Sequence, residues 1–203
     1  MAKPSQPSPP RTLRRVCVYC GSSNHIHERY REAARAMGNT LVERGIELVF
    51  GGGRVGLMGE IADTVLKAGG TVHGVIPQKL LDLEVGHEGC TELFVVEGMH
   101  ARKMKMMELS DAFIAMPGGY GTMEELFEVT TWTQLEYQSK PVGVLNVDGY
   151  YDGLLGWIEH AYAQGFIRDL HRDLIVHHTD PAALLDGLSQ AELPGVARWI
   201  DKV

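Results

Sequence analysis

The sequence predicts an α/β fold built on a doubly wound parallel sheet. Two observations carry that reading. Short apolar runs alternate with longer segments whose apolar residues recur at helical spacing, and strand–helix–strand repetition implies a parallel sheet covered by helices on both faces. Glycine is abundant, 24 of 203 residues against a usual ~7%, and it clusters just after the apolar runs, where backbone-lined loops would lie. No internal repeat or linker divides the chain. The expectation is one Rossmann-like domain over residues 14–203, preceded by a flexible tail at 1–13.

The elements follow in order. "RVCVY" (15–19) is the first strand, and residues 28–44 are a helix stopped by Gly45. "IELVF" (46–50) is the second strand, followed by the helix "GLMGEIADTVLKAGG", which runs out in glycines. "TVHGVIP" (71–77) and "ELFVVE" (92–97) are the third and fourth strands, and "HARKMKMMELS" (100–110) is helical. "DAFIAMP" (111–117) is the fifth strand and 122–138 a long helix. "KPVGVLNV" (140–147) is the sixth strand, 151–164 a helix, and "LIVHH" (174–178) a short last strand.

In such a sheet the strands point one way, and ligands bind beyond their carboxyl ends. The segments after the strands therefore list the candidate site. They are "GSS" (21–23), "GGGRVGLMG" (51–59), "QKLLDLEVGH" (78–87), "GMHARK" (98–103) and "GGYGTMEE" (118–125). Gly21, Ser22, Gly52 and Gly53 enter the candidate binding set on this ground. The convergence of glycine and serine loops, an Arg-Lys pair and several acids on one edge says more than any single motif.

Composition narrows the partners. A net charge of −7 argues against nucleic acid, whose phosphate backbone wants a basic face, but leaves room for a small phosphorylated ligand. The opening "MAKPSQPSPP" has four prolines and no apolar run, so it reads as a tail and not as a signal peptide. No stretch approaches the ~18 apolar residues of a membrane span. Cys17 and Cys20 form a C-x-x-C on a strand, where positions i and i+3 face opposite sides. That spacing suits neither a shared metal nor a redox pair, and the expected compartment is the reducing cytoplasm. Nine histidines include no H-E-x-x-H and no spaced ligand cluster, so no metal is expected.

Gly51, Gly53 and Gly56 match G-x-G-x-x-G, a dinucleotide fingerprint that is weak alone. The motif follows the second strand, not the first. The acidic residue expected ~20 residues on to hold a ribose is missing from "HGVIPQK". A tight turn explains the glycines as well. Serines 22 and 23 lack a G-x-S-x-G context, so a hydrolase-type nucleophile is unsupported. Methionines 99, 104, 106, 107 and 116 fit core or subunit-interface packing better than a pocket lining.

Arg102 and Lys103 open a helix, where cations are disfavoured unless an anion compensates. The Arg fork matches phosphate or carboxylate bidentately. "PGGYGTMEE" (117–125) is the sharpest motif. Thr122-x-x-Glu125 reads as a capping box, with Thr122 the cap and Glu125 reaching back to it, which alone would explain Glu125. Glu124 points about 100° away. The glycines leave backbone N–H groups free to cradle a phosphate at the helix start. With a phosphate over Gly118–Thr122, Arg102 would neutralise it and a carboxylate one turn on would reach the attached sugar. Carboxylates stabilise oxocarbenium-like charge in glycosyl cleavage.

These residues carry a resemblance. "PGGYGTMEE" fits P-G-G-x-G-T-x-x-E, "MHARK" supplies an Arg-Lys pair some twenty residues earlier, and "CGSS", "GGGRVGLMG" and "VIPQ" accompany them. Over roughly residues 14–190 the chain resembles the Lonely Guy (LOG) family of cytokinin riboside 5′-monophosphate phosphoribohydrolases. The resemblance implies a Rossmann-like fold, a homodimer with sites near the subunit interface, and no redox cofactor or metal. It implies hydrolysis of the N-glycosidic bond of a purine nucleoside 5′-monophosphate, with AMP or an N6-substituted adenine as the base-bearing substrate. Arg102 and Glu125 would be catalytic. Lys103 and Gly119, Tyr120, Gly121 and Thr122 would hold the nucleotide, with Glu84 and Thr131 also near it; Gly118, Met123 and Glu124 complete the candidate set. The alternative is a non-catalytic carrier of a nucleotide or phosphorylated cofactor on the same fold. Relatives have also borne a lysine decarboxylase label. That chemistry wants pyridoxal phosphate on a lysine, and no lysine here has a recognisable partner set for the pyridinium nitrogen.

Overall fold

Alternating apolar strands and amphipathic helices close into a three-layer α/β sandwich. The computed structural model describes residues 10–83 and 85–193. Seven strands lie in the order β4-β3-β2-β1-β5-β6-β7, every pairing parallel. They are β1 (Arg15–Tyr19), β2 (Glu47–Phe50), β3 (Val72–Pro77), β4 (Glu92–Val96), β5 (Ala112–Ala115), β6 (Val142–Leu145) and β7 (Ile175–His178). The helices are α1 (Glu28–Glu43), α2 (Gly56–Lys67), α3 (Gln78–Leu81), α4 (Met99–Leu109), α5 (Tyr120–Gln134), α6 (Asp152–Ala163) and α7 (Pro181–Gln190).

The central strands are buried on both faces because they are apolar on both. Val16, Val18 and Cys20 pack with α1, α2 and α7, whereas Cys17 and Tyr19 pack with α4, α5 and α6. The two cysteines of the C-x-x-C thus sit in separate cores. The strand order winds outward from β1, first through β2 to β4 and then through β5 to β7. That reversal makes the carboxyl ends of β1 and β5 the topological switch point, where an open α/β sheet leaves a crevice. Val18 pairs with both Phe50 and Ile114, so Gly21, Gly51 and the 117–119 turn emerge on one edge.

Two helices were not read from the sequence. Residues 78–81 form the short α3, and α7 is announced by Asp180, whose carboxylate accepts from the Ala183 N–H at 2.8 Å, followed by Pro181 in the first turn. Asp then Pro is a standard helix start. Among the described residues no helix is long and apolar enough to cross a membrane. The N-terminal tail expectation falls mostly on residues outside the described range.

Candidate active site

The glycines after β2 serve the fold more than a ligand. Gly52 has φ +71°, its carbonyl accepts from the His87 N–H at 2.8 Å, and the Arg54 N–H donates to the Val85 carbonyl at 2.8 Å. The first N–H groups of α2 are already occupied. Gly56 donates to the Asn24 side-chain oxygen and Leu57 to the Gly21 carbonyl, both at 2.9 Å. At Gly56 (φ +61°) a Cβ would stand 2.5 Å from the Ser22 carbonyl carbon. The G-x-G-x-x-G pattern is therefore a close-packing device between two loops. Gly52 and Gly53 do not line the cleft.

The turn after β5 is different. Tyr151 donates its hydroxyl to the Met116 carbonyl at 2.7 Å and Tyr150 to the Gly118 carbonyl at 2.6 Å, so the turn is held from behind. A Cβ on Gly118 would lie 2.1 Å from Thr122 Oγ1, and the Thr122 side chain is buried beneath that glycine. The helix starts three residues earlier than its sequence signature suggests. Gly119 is the cap, no side chain caps it, and Met123 makes the first intrahelical bond, to the Gly119 carbonyl at 3.1 Å. The capping-box expectation is thereby corrected: Thr122 is the third helical residue and Glu125 lies in the second turn. The cause is the glycine pair, whose open backbone lets the helix begin before the threonine. The N–H groups of Gly119, Tyr120, Gly121 and Thr122 are the four that a helix cannot satisfy itself, and they sit at the positive end of its dipole.

Arg102 enters from α4. Its Nε donates to the Val75 carbonyl at 3.1 Å and its Nη2 to the Gly51 carbonyl at 2.9 Å. The guanidinium is thus pinned across the ends of β2 and β3, and its Nη1 stands 3.7 Å from Glu125 Oε1. Both side chains are only 10% exposed. Burial pushes the Glu125 carboxyl up to about 7, against the pull of Arg102 and with a smaller push from Glu124. A carboxyl near neutrality beside a fixed cation is equipped to exchange a proton or to face developing positive charge.

These groups share a cleft of about 240 Å³ with Gly21, Ser22 and Glu124. Gly119, Tyr120, Gly121 and Thr122 form its rim, and Tyr120 is 98% exposed. Gly118 lines an adjoining hollow of about 380 Å³ against Tyr30 and Tyr150, which shares Gly21, Ser22 and Gly119 with the cleft. Lys103 is buried, but it turns away to Glu124 at 2.5 Å and Glu128 at 3.0 Å. Met123 packs into the core beneath α5. Thr131 is exposed in a separate groove with Phe127 and Trp157. Glu84 lies outside the described residues.

The sequence reading missed Val18, Tyr19 and Cys20, which also line the cleft, together with Gly51 and Met58 of the 51–59 segment. Gly51, Tyr19 and Cys20 sit at strand ends next to the switch point, a signal the order of elements contains. Met99 and Met106, read there as packing residues, line it too. Among the described residues no group of three His, Cys, Asp or Glu side chains is placed to hold a metal ion.

A doubly wound sheet with an uncapped, glycine-led helix at its switch point, flanked by a fixed arginine and a buried carboxyl, defines a Rossmann-like α/β domain. Residues 58–188 match the family described as possible lysine decarboxylase. The cytokinin riboside 5′-monophosphate phosphoribohydrolase of Oryza sativa subsp. japonica is 52% identical over 164 residues, 81% of this chain and 68% of that one. An Arabidopsis thaliana protein of the same description is 50% identical over 180 residues, 89% of this chain and 83% of its own. In fold, the chain is similar to the molybdenum cofactor carrier protein of Chlamydomonas reinhardtii, with TM-score 0.65 and 21% identity over 87% of this chain and 96% of that one. The chain belongs to the Lonely Guy (LOG) family of cytokinin riboside 5′-monophosphate phosphoribohydrolases.

Proposed function

We propose that this protein hydrolyses the N-glycosidic bond of purine nucleoside 5′-monophosphates, AMP or its N6-substituted cytokinin-type analogues, to the free base and ribose 5-phosphate. The observation that carries the reading is the placement of Glu125 one helical turn beyond four unused N–H donors, with Arg102 reaching it from α4 inside the same cleft. The 5′-phosphate rests on the N–H groups of Gly119–Thr122, where the helix dipole favours an anion. The ribose then lies over Glu125. As the C1′–N bond to the base lengthens, the sugar gains oxocarbenium-like charge, which the Glu125 carboxylate stabilises. Water supplies hydroxide to C1′ and a proton to the departing base. Arg102, immobilised by two carbonyls, keeps the phosphate and Glu125 in register without having to reorganise.

Decarboxylation fits the cleft less well. Lys103, next in sequence to Arg102, is committed to two carboxylates. A homodimer is part of the reading, supported by the exposed apolar stretch of Phe127, Leu135, Trp157 and Phe166 on and beside the outer side of α5. A light-scattering mass of twice the chain checks it. The reading also places the protein in the cytoplasm, where nucleotides are made. The decisive test is incubation with AMP and with N6-isopentenyl-AMP, following free base and ribose 5-phosphate. A carrier would bind both and release neither product.

A further inference from the structure

The turn that opens α5 is fixed one peptide unit at a time. A trans peptide is planar, so its carbonyl and its N–H point in opposite directions, and a partner on the carbonyl sets the line of the N–H. Among the described residues no peptide is cis. The Pro117 carbonyl accepts from the Gly21 N–H at 3.0 Å, and this orients the Gly118 N–H. The Gly119 carbonyl accepts from the Met123 N–H at 3.1 Å, and this orients the Tyr120 N–H. Between them, the Gly118 carbonyl accepts from the Tyr150 hydroxyl at 2.6 Å, which leaves the Gly119 N–H on the far side of the same plane. The outer two of these successive peptide units are held by backbone. The middle one is held by a side chain that reaches over from the turn after β6.

Tyr150 is itself braced. It follows the short 3₁₀ turn Val147–Gly149, whose Asp148 pairs with Arg29 of α1. Its ring stands edge-on to Tyr30 at 5.7 Å and to Tyr151 at 5.1 Å. Tyr150 and Gly118 line the hollow and not the cleft, whereas Gly119 lines both. The hydroxyl therefore grips the peptide from the hollow side, and the Gly119 N–H points away from it. Hydrogen bonding at the carbonyl also polarises the amide and strengthens its N–H as a donor. We infer that Tyr150 is a positioning residue: its hydroxyl aims the Gly119 N–H, the first of the four free donors of α5, at the 5′-phosphate of the substrate. The assignment rests on the reading above that the phosphate lies on Gly119–Thr122. Tyr150 acts through the Gly118–Gly119 peptide and does not touch the substrate.

The next residue in the chain supplies the control. Tyr151 donates to the Met116 carbonyl at 2.7 Å, but the peptide after Met116 belongs to Pro117, which has no N–H to aim. Tyr151 is 2% exposed and Tyr150 43% exposed. Removing the Tyr151 hydroxyl strands a buried carbonyl and costs stability; removing the Tyr150 hydroxyl lets water reach the Gly118 carbonyl instead. The test compares Tyr150→Phe with Tyr151→Phe, each of which keeps its ring. Ribose 5-phosphate binding is measured by calorimetry. Tyr150→Phe weakens it by about fivefold, the usual contribution of one neutral hydrogen bond, with a melting temperature within about 1 °C of wild type. Tyr151→Phe melts a few degrees lower and keeps the wild-type affinity. In the ligand-free protein the Gly119 amide ¹⁵N signal, which senses hydrogen bonding at the preceding carbonyl, moves in Tyr150→Phe and holds its place in Tyr151→Phe. In turnover, kcat/KM for AMP falls with the affinity in Tyr150→Phe, and kcat/KM for adenosine does not.

An affinity loss confined to Tyr150→Phe, together with a moved Gly119 signal, supports the assignment even if the wild-type protein cleaves neither nucleotide, an outcome that would overturn the hydrolase reading alone. Wild-type affinity in Tyr150→Phe overturns the assignment. So does an affinity loss with an unmoved Gly119 signal, since the hydroxyl would then act by touching the phosphate directly. Equal losses in the two variants overturn it as well, because they trace the effect to the packing of the turn and not to the Gly119 donor. A wild-type protein that binds no ribose 5-phosphate removes the phosphate cradle and this assignment with it.

Discussion

Gly51→Ala is a one-methyl substitution whose effect can be worked out atom by atom. A Cβ at Gly51 would stand 1.8 Å from Arg102 Nη2, 2.9 Å from its Cζ and 3.2 Å from Met58 Sδ. No small adjustment accommodates a carbon at 1.8 Å from a nitrogen. The atom in the way is the far end of a flexible side chain, so Arg102 moves and the backbone stays. The guanidinium must then give up its bonds to the Gly51 and Val75 carbonyls. A hydrogen bond from a charged donor contributes about 1.5–3 kcal/mol, but the freed guanidinium swings into a solvent-open cleft and recovers hydration. The net stability loss is therefore about 1–2 kcal/mol. The catalytic loss is larger in proportion, because a preorganised electrostatic contact accounts for about 10²–10³ in rate.

The expected result is a folded protein with a melting temperature a few degrees lower and kcat/KM for AMP down by about two orders of magnitude. The assay is a double-mutant cycle with Arg102→Ala, read as release of free base. If Gly51 acts only by making room for Arg102, the alanine costs almost nothing further once Arg102 is gone, and the two losses fail to add. Wild-type turnover in Gly51→Ala would refute the placement of Arg102 in the reaction. Fully additive losses would show that Gly51 serves the site by another route.

Other outcomes follow from the same geometry. AMP should be cleaved with a far higher kcat/KM than adenosine, because phosphate binding at Gly119–Thr122 supplies energy used at the glycosidic bond; equal values would remove the phosphate cradle. Arg102→Ala should reduce turnover by about 10² or more, measured as kcat under saturating AMP. Glu125→Gln should still bind AMP yet lose about 10²–10⁴ in turnover; retained hydrolysis would promote the carrier alternative. Glu125 also links stability to pH. Its folded carboxyl titrates at about 7 against an ordinary 4.5, so the native state favours the protonated form. Its contribution is fully present below about 4.5 and is lost as pH rises through about 7, a change of about 3 kcal/mol. Thermal melts should therefore show Glu125→Gln more stable than wild type at pH 8 and level with it at pH 4.5. In the wild type, kcat/KM should rise with pH through about 7 as the carboxylate forms.

The fold was legible because its cause is local and repeated. Strands β1, β2, β5 and β6 are short apolar runs buried on both faces, and the glycines that follow them punctuate the chain at the right edge. The candidate site was legible only in part, and the division has a physical basis. Arg102, Glu125 and the 119–122 turn could be picked out because Arg102 is a cation near a helix start, the glycines head a helix, and Glu125 follows them in the same motif. Lys103 carries the same signal, and its partners Glu124 and Glu128 are contributed by a second helix. Pairing between helices is a tertiary fact that spacing along one chain segment does not encode. The capping box failed for a related reason. Thr122-x-x-Glu125 has the right letters, but the preceding glycines let the helix start three residues sooner, and the acid that would have closed the box was carried a turn inward to face Arg102. The motif that looked like a structural cap thus becomes intelligible as a device for the opposite purpose. It leaves four N–H groups uncapped, and it lifts Glu125 off the helix end so that burial, not a cap, sets its charge.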